Sequence, residues 1–438
     1  MPNKALTATA DELLIQALEA GGDPAKTGRY LVTYKEGALD AGLKSLSKEH
    51  GLKVANARDT DNQAMALDAA GDADALVFPE IGVAVLSSEA AESRSLMDSM
   101  GIAADSPILS VDPEYFMFAN QVNVADYLKG VIHTAQTIYD DIGMSEEEVK
   151  EAASPEVLGA TWGIAAVRAS ISQYSGNDLK VAVLDTGFDL GHPDFVGRTF
   201  VTASFVGQPV QDLHGHGTHT CGTANGPKAP AGFIPRYGIA YRDRIYVGKV
   251  LSNSGAGTQA QVLAGMNWAI ANRCVVISMS LGGGTAVQPS YTAAGQAALN
   301  AGCLIVAAAG NDSARPGRIN PAIAPANSPT VVSVAALDSA LHVAPFSNGG
   351  KVDIAAPGVS VYSAAPRPTL HTTMSGTSMA TPHVAGCAAL WAETNPNLRG
   401  AALRTKLFAT ARHLPYPASD VGAGLVQAPF RQLRPFEE

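Results

Sequence analysis

Cysteine is scarce in this sequence and never occurs as a CxxC pair. The 438 residues contain four cysteines, each in an otherwise apolar run: Cys221, Cys274, Cys303 and Cys387. This spacing excludes the common zinc and dithiol redox motifs. We therefore expect buried free thiols. In an oxidising compartment, Cys274 and Cys303 are the first pair to test for a disulfide, because each opens a predicted strand.

Long apolar runs and targeting signals are also missing. No apolar stretch reaches the roughly 18 residues that a membrane span needs, and residues 1–22 lack the pattern of a secretory signal. The sequence therefore predicts no membrane partner. Localisation stays open, because the chain is cytoplasmic as given and secreted if a leader was removed upstream.

Basic patches are absent as well. The net charge is −10, and residues 120–156 alone hold eight acidic against two basic side chains. Most of the acidity is therefore local, and nothing in the charge pattern predicts a nucleic-acid partner.

The N-terminal third predicts an arm followed by a small domain. Residues 1–28 contain one short helix, with Thr9 and Glu12 as a possible capping box, and we interpret them as a peripheral arm. Residues 29–119 have the size and order of a small α+β (ferredoxin-like) βαββαβ domain. Its predicted strands are 29–35, 53–58, 76–86 and 108–111, and its predicted helices are 39–49 and 88–100.

The remainder predicts a linker and a large α/β domain. Residues 120–156 form an acidic helical linker, with one apolar helix face over 123–143, and residues 434–438 form a tail. Between them, residues 157–433 alternate apolar strands with helices, which indicates a mostly parallel sheet covered on both faces. The predicted strands are 181–185, 244–251, 275–282, 303–311 and 330–337, and the helices are 258–272 and 288–301.

Four polar side chains are candidates for a functional site, because functional groups in an open parallel sheet gather just beyond the carboxyl ends of the strands. Asp185 ends a strand, His216 opens a helical segment, Asn311 follows a strand, and Ser378 lies where a glycine-rich loop turns into a helix. Pro382 marks the start of that helix. A helix N-terminus offers free N–H groups and favours developing negative charge, so Ser378 is a candidate nucleophile. Taken singly, each residue is also a common cap or turn residue.

Three histidines offer a different chemistry. His214, His216 and His219 form an HxHxxH pattern that could bind zinc. The pattern lacks the glutamate base of a zinc peptidase, and no further ligand cluster accompanies it. A metallohydrolase is therefore an alternative reading of the same segment.

Taken together, five motifs resemble the subtilisin-like serine proteases. They are VAVLDTG, HGTHTCGT, MSLGG, AAAGN and GTSMATPHVAG, in that order. The order Asp, His, Ser is the family's order, and the spacings, 216 − 185 = 31 and 378 − 216 = 162, also fit. The resemblance covers residues 155–430 and implies a subtilisin-like three-layer fold with a mostly parallel central sheet.

The resemblance also implies a role for each matched residue. Asp185 orients the base, His216 is the general base, Ser378 is the nucleophile and Asn311 donates to the oxyanion, while His219 is structural. Polypeptide substrates would bind as an extended strand. The residues expected to contact substrate are Ser280, Leu281, Gly282, Gly283, Ala309 and Gly310. Side-chain preference would depend on the walls near 307–310 and on the loop 312–325.

Residues 29–119 resemble the family's prodomain, a folding chaperone and inhibitor. The extended apolar segment 115–119 could lie in the substrate cleft, and we expect self-cleavage between Phe116 and Gln121. The chain would then be an autoprocessed zymogen with its own prodomain as intramolecular inhibitor.

Two features depart from the family. The first is that the family's strong calcium loop is absent, since the corresponding stretch reads NGPKAPAGFIPRYGIA and has no Asn-rich turn. The chemistry that the resemblance implies needs no cofactor. Asp194 remains as one potential ligand, and a single carboxylate does not make a site of six to eight oxygens, so structural calcium stays an open alternative without the usual strong loop. The linker 120–156 is the second departure. An inactive, subtilisin-shaped binding protein is the remaining alternative function.

Overall fold

The computed structural model describes residues 6–19, 23–49, 51–92, 106–119, 159–232 and 234–430. The predicted linker 120–156 with its helix, most of the predicted helix 88–100, and the tail 434–438 lie outside the described residues. No helix in the described part of the chain combines the length and apolar character that crossing a membrane requires.

Residues 6–119 form a helical arm and a five-stranded sheet. The elements are α1 Ala10–Glu19, β1 Lys26–Tyr34, α2 Leu39–Lys44, β2 Val54–Asn56, β3 Ala75–Phe78, β4 Val83–Leu86, α3 Ser88–Glu92 and β5 Ile108–Phe118. The sheet order is β2-β3-β4-β1-β5. Strands β3, β4, β1 and β5 alternate in direction, and β2 lies parallel to β3 at the edge. This is the order of a ferredoxin-like sheet with one added edge strand.

Three predicted strands of the small sheet were wrong in extent. The single strand predicted over 76–86 is a hairpin, because Pro79 and the left-handed Gly82 (φ +63°) turn the chain between β3 and β4. The strand predicted over 108–111 continues to Phe118, because it pairs with β1 along one edge and with the second unit along the other. Predicted strand 53–58 is only Val54–Asn56.

The arm is not peripheral. Thr9 and Glu12 form the predicted capping box, with N–H to side-chain oxygen distances of 3.0 and 3.2 Å. Helix α1 buries Leu13 and Leu14 in a cluster that includes Phe116 at the end of β5. The arm therefore covers the last strand of the small sheet.

Residues 159–430 form the larger unit. Its elements are α4 Trp162–Ala166, β6 Lys180–Asp185, β7 Phe200–Ser204, α5 His216–Asn225, β8 Arg244–Lys249, β9 Ala256–Thr258, α6 Gln259–Ala271, β10 Val276–Met279, α7 Pro289–Asn300, β11 Leu304–Ala308, β12 Val332–Leu337, β13 Ile354–Pro357, β14 Val361–Ala364, β15 His371–Met374, α8 Thr377–Thr394, α9 Gly400–Thr410 and α10 Ala418–Val421.

A seven-stranded sheet, entirely parallel, forms the centre of this unit. Its order is β13-β12-β11-β10-β6-β8-β7. Apart from the edge strand β7, the strands are largely buried and apolar, so both faces need cover. Helices α6 and α7 contribute to the core on one side, and α8 and α9 to the core on the other. The predicted three-layer α/β fold is thereby confirmed, and both helices predicted for this region agree with α6 and α7 to within one residue at each end.

The two units share one sheet and one core. Strand β5 pairs antiparallel with β9, so the small sheet extends into the larger unit. Apolar residues of the small sheet, such as Leu31 and Phe78, belong to the same buried cluster as Val262 and Met266 of α6. All four cysteines are buried free thiols, as expected, and Cys274 and Cys303, the candidate disulfide pair, are not bridged.

Candidate active site

Asp185 and His216 meet at the carboxyl edge of the parallel sheet. Asp185 is the last residue of β6, and His216 is the first residue of α5, after Gly215 in a left-handed conformation (φ +94°). The Nδ1 atom of His216 lies 2.7 Å from Oδ1 of Asp185, and each side chain is 1% exposed. Thr220 donates to the other carboxylate oxygen at 3.1 Å, and this fixes the orientation of the carboxylate.

The protonation of His216 depends on its surroundings. Burial lowers the pKa of the imidazole, but the charge of Asp185, the hydrogen bond to it and the charge of Asp212 outweigh burial and raise that pKa above 6.5. Among the described residues, no atom forms a hydrogen bond with the buried Nε2 of His216. The ring is therefore held by Nδ1, and its second nitrogen points away from Asp185.

Ser378 is the second residue of α8. Its Oγ lies 3.3 Å from two backbone oxygens, those of Ser280 and Ala119, and the side chain is buried. Pro382 lies inside α8, not at its start as predicted from the sequence. Because proline has no N–H, the carbonyl of Ser378 loses its helical partner, and Ser280 Oγ donates to it instead at 2.7 Å. This bond ties the start of α8 to the end of β10.

Asn311 is oriented by the same helix start. Its Oδ1 accepts hydrogen bonds from the N–H and the hydroxyl of Thr377 at 2.8 and 2.9 Å. The hydroxyl oxygen of Thr377 in turn accepts the N–H of Gly310 at 3.1 Å. A Cβ added to Gly376 would lie 3.4 Å from Nδ2 of Asn311, so glycine leaves room beside the amide. The amide group therefore lies next to the N-terminus of α8.

The segment predicted to pair with substrate, residues 280–283, pairs instead with the end of the chain's own strand β5. Phe118 and Gly282 form an antiparallel pair with two hydrogen bonds of 3.1 Å, and the N–H of Ala119 donates to Gly255 at 2.9 Å. A Cβ on Gly283 would lie 2.5 Å from the carbonyl oxygen of Phe116. The end of β5 is thus a strand held between β9 and the segment 280–283.

Two of the other residues predicted to contact substrate are buried. Leu281 and Ala309 are buried, and Ala309 is held between neighbouring segments by backbone hydrogen bonds to Val334 and Ile323. A cavity of about 540 Å³ lies beside Gly282–Gly284 and the loop 312–323, with Asp312 and Arg318 among its lining residues.

Three features of the site are not predicted by the sequence. The strand β9 completes the groove, although its sequence AGT carries no strand signal. Asp212 and Lys249 are fully buried beside Asp185 and His216. A buried charge is not visible in a sequence, and Asp212 lies three residues before Gly215, the N-cap of α5, where no capping rule singles it out.

The three histidines of the zinc hypothesis do not converge. Nδ1 of His216 is bound to Asp185, and Nε2 of His219 is 3.0 Å from the carbonyl of Val361. Burial, with the positive charge of His216, lowers the pKa of His219 to about 3. In the described part of the chain, the one group of three metal-binding side chains comprises His192, Asp194 and His371 instead.

That group does not fit a metal ion well. Asp194 accepts hydrogen bonds from Ala231 N–H, from the Tyr237 hydroxyl and from His371 Nε2, at 3.1, 2.7 and 2.7 Å. Both ring nitrogens of His192 have backbone partners, Leu370 O and Asp194 N–H. Calcium prefers six to eight oxygen ligands, and the group offers one carboxylate.

Comparison with known proteins agrees with this geometry. The subtilase family matches residues 176–425 of the chain. Subtilisin from Bacillus pumilus is 40% identical over 245 residues, which cover 55% of this chain and 86% of that protein. Subtilisin Savinase from Lederbergia lenta is 40% identical over 277 residues, covering 61% and 96%. Subtilisin E from Bacillus subtilis (strain 168) is 40% identical over 245 residues, covering 55% of this chain and 62% of that protein.

Proposed function

This chain belongs to the subtilase family and is a subtilisin-like serine endopeptidase, and we propose that Asp185, His216 and Ser378 form its catalytic triad. The observation that carries the proposal is the 2.7 Å contact between Asp185 and the buried His216, at the sheet edge where Ser378 lies in the first turn of α8. His216 Nε2, which has no partner among the described residues, is the atom that would take the Ser378 proton.

The reaction is acyl transfer to water. Ser378 Oγ attacks the peptide carbonyl carbon while His216 Nε2 accepts the hydroxyl proton. The carbonyl oxygen becomes an oxyanion, which the Asn311 amide and the Ser378 N–H stabilise. His216 then gives the proton to the leaving amine, and the C–N bond breaks. A water molecule, deprotonated by the same ring, releases the acid product and restores Ser378.

We further propose that polypeptide substrates bind as the end of β5 does. Backbone bonds to Gly282 and Gly255 leave the substrate's side chains free to vary, so affinity would not demand one sequence. The walls of the cavity beside Gly282–Gly284 would set the side-chain preference.

Residues 29–119 are proposed to be an inhibitory prodomain. A buried carboxylate supports this role: Glu114 Oε1 accepts the N–H of Ala260 at 2.8 Å in the first turn of α6, where a negative charge is favoured. Arg29 pairs with Glu114 at 2.6 Å and donates to Thr258 at 3.0 Å. These contacts do not involve the segment at Ser378, so they would persist after that segment is cut.

Covalent labelling tests the nucleophile. The purified wild-type protein, incubated until it hydrolyses a peptide substrate, should react with a fluorophosphonate at Ser378, as located by peptide mapping. Ser375→Ala, which removes a nearby exposed hydroxyl, is the matched control and should label normally. Ser378→Ala should neither label there nor hydrolyse peptide. Hydrolysis that persists in Ser378→Ala, or that chelators stop while fluorophosphonate does not, would overturn the proposal in favour of a metallohydrolase. Correctly folded protein without any hydrolysis would favour the inactive binding protein.

A further inference from the structure

The loop before α5 carries a second buried carboxylate, Asp212, which is 0% exposed. Its Oδ1 accepts the N–H groups of His214 and Gly215 at 3.0 and 2.9 Å. Its Oδ2 accepts the N–H and the hydroxyl of Thr218 at 2.8 and 2.7 Å. One side chain thus holds the backbone on both sides of His216.

Asp212 is also connected to the residue after Asp185. The hydroxyl of Thr186 donates to Asp212 Oδ1 at 3.0 Å and accepts the N–H of Gly217 at 2.8 Å. This chain of hydrogen bonds joins the end of β6 to the first turn of α5. A carboxylate that accepts five hydrogen bonds leaves little freedom to the loop, because any displacement breaks several bonds together.

We propose that Asp212 is a positioning residue of the peptidase reaction, which fixes His216 relative to Asp185 and supports its protonated state through a second negative charge. The inference rests on the triad proposed above. A cation at the N-terminus of a helix is disfavoured by the helix dipole. Imidazolium at the first position of α5 therefore needs more compensation than an exposed histidine does.

The titratable groups around His216 show which of them can stabilise its protonated ring. In the described part of the chain they are Asp185 from β6, Lys249 from β8, His219 one turn further along α5, and His214, whose ring centre is 6.2 Å away. Burial lowers the pKa of Lys249 to about 8 against the raising effect of Asp212 and Asp185. Lys249 donates to the carbonyl of Thr186 and to Asn253. Since Lys249 and the neighbouring histidines are cationic or neutral, the two carboxylates alone favour imidazolium.

The test separates charge from hydrogen bonding. Asp212→Asn removes the charge, and Thr218→Val removes one of the five bonds but leaves the charge in place. Each is combined with Ser378→Ala, and the His216 ring is titrated by NMR, with its signal assigned from a His216→Gln spectrum. We expect Asp212→Asn to lower the pKa of His216 by about 0.5 to 1 unit and Thr218→Val to leave it within about 0.2.

In the active protein, Asp212→Asn should lower kcat by about 10- to 100-fold with KM changed less than about threefold, because substrate contacts are untouched. An unchanged pKa of His216, or an unchanged kcat, would overturn the proposal. Should Asp212→Asn fail to fold, Thr186→Val tests the positioning alone: a lowered kcat supports it and an unchanged kcat refutes it. The titration needs no catalysis, so a failure of the proposed triad would appear separately, as hydrolysis by Ser378→Ala.

Discussion

The hydroxyl oxygen of Ser378 lies 3.3 Å from the carbonyl oxygen of Ala119. The two residues are 259 positions apart, and they meet because β5 continues as a strand in the groove between Gly255 and Gly282. The segment therefore occupies the position that the proposed mechanism gives to a substrate. An enzyme folded in this way would be blocked by its own chain until the segment is cut and leaves the groove.

Replacement of Asn311 tests the oxyanion role. Asn311→Leu should lower kcat about 10²- to 10³-fold, the scale on which loss of one oxyanion donor acts in a subtilisin, with KM nearly unchanged. The measurement is steady-state hydrolysis of a peptide by the processed enzyme. Asn397→Leu, at an exposed position after α8, is the control and should affect kcat little. A change confined to KM would mean that Asn311 only shapes the turn.

Loss of the Glu114 charge should weaken self-inhibition. Glu114→Gln leaves Arg29 buried without its counter-charge and weakens the contact with α6, so the cleaved 1–119 segment should inhibit the processed enzyme at least tenfold less tightly. The inhibition constant is the measurement. Asp112→Asn, whose carboxylate instead pairs with Ser110, is the control. Equal inhibition by both variants would show that Glu114 contributes nothing to docking.

Buried histidines should make the fold sensitive to acid. Burial lowers the pKa of His383 to about 4, whereas the unfolded chain titrates near 6.5. Between these values the unfolded state binds more protons, so stability falls as the pH falls from 6.5 toward 4. For His383 alone the loss approaches about 3 kcal/mol at pH 4.

Chemical denaturation of Ser378→Ala, with and without His383→Gln, measures this effect. The free energy of unfolding should drop less between pH 7 and 4.5 in the double variant. The opposite contribution of His216, whose pKa is raised, is present in both proteins and cancels. Identical pH dependence would mean that His383 is not buried as a neutral ring.

Chelators should leave the stability unchanged. Because protein donors already satisfy Asp194, we expect the Tm of Ser378→Ala in excess EDTA to agree within about 2 °C with that in millimolar calcium. Asp194→Asn should lower Tm equally in both conditions. A rise of several degrees with calcium would show a bound ion that these contacts do not account for.

The sequence predicted the elements whose signals are local. Asp185, His216 and Ser378 were placed from short motifs at strand ends and helix starts, and helices α6 and α7 from their apolar spacing. The hairpin at β3 and β4 was missed although Pro79 and Gly82 signal a turn, because the apolar run continues across them. The full length of β5, the cover provided by α1 and the burial of Asp212 depend on residues distant in sequence, and no local pattern encodes such contacts.

Mass spectrometry of the purified protein tests the central claim most directly. Wild type should yield an N-terminal fragment of about 120 residues, cut after Ala119 or Asn120, together with the remainder of the chain. Ser378→Ala, expressed and purified in the same way, should remain a single intact chain. The same cut in Ser378→Ala would show that another protease made it, and an uncut but active wild type would contradict self-processing at this site.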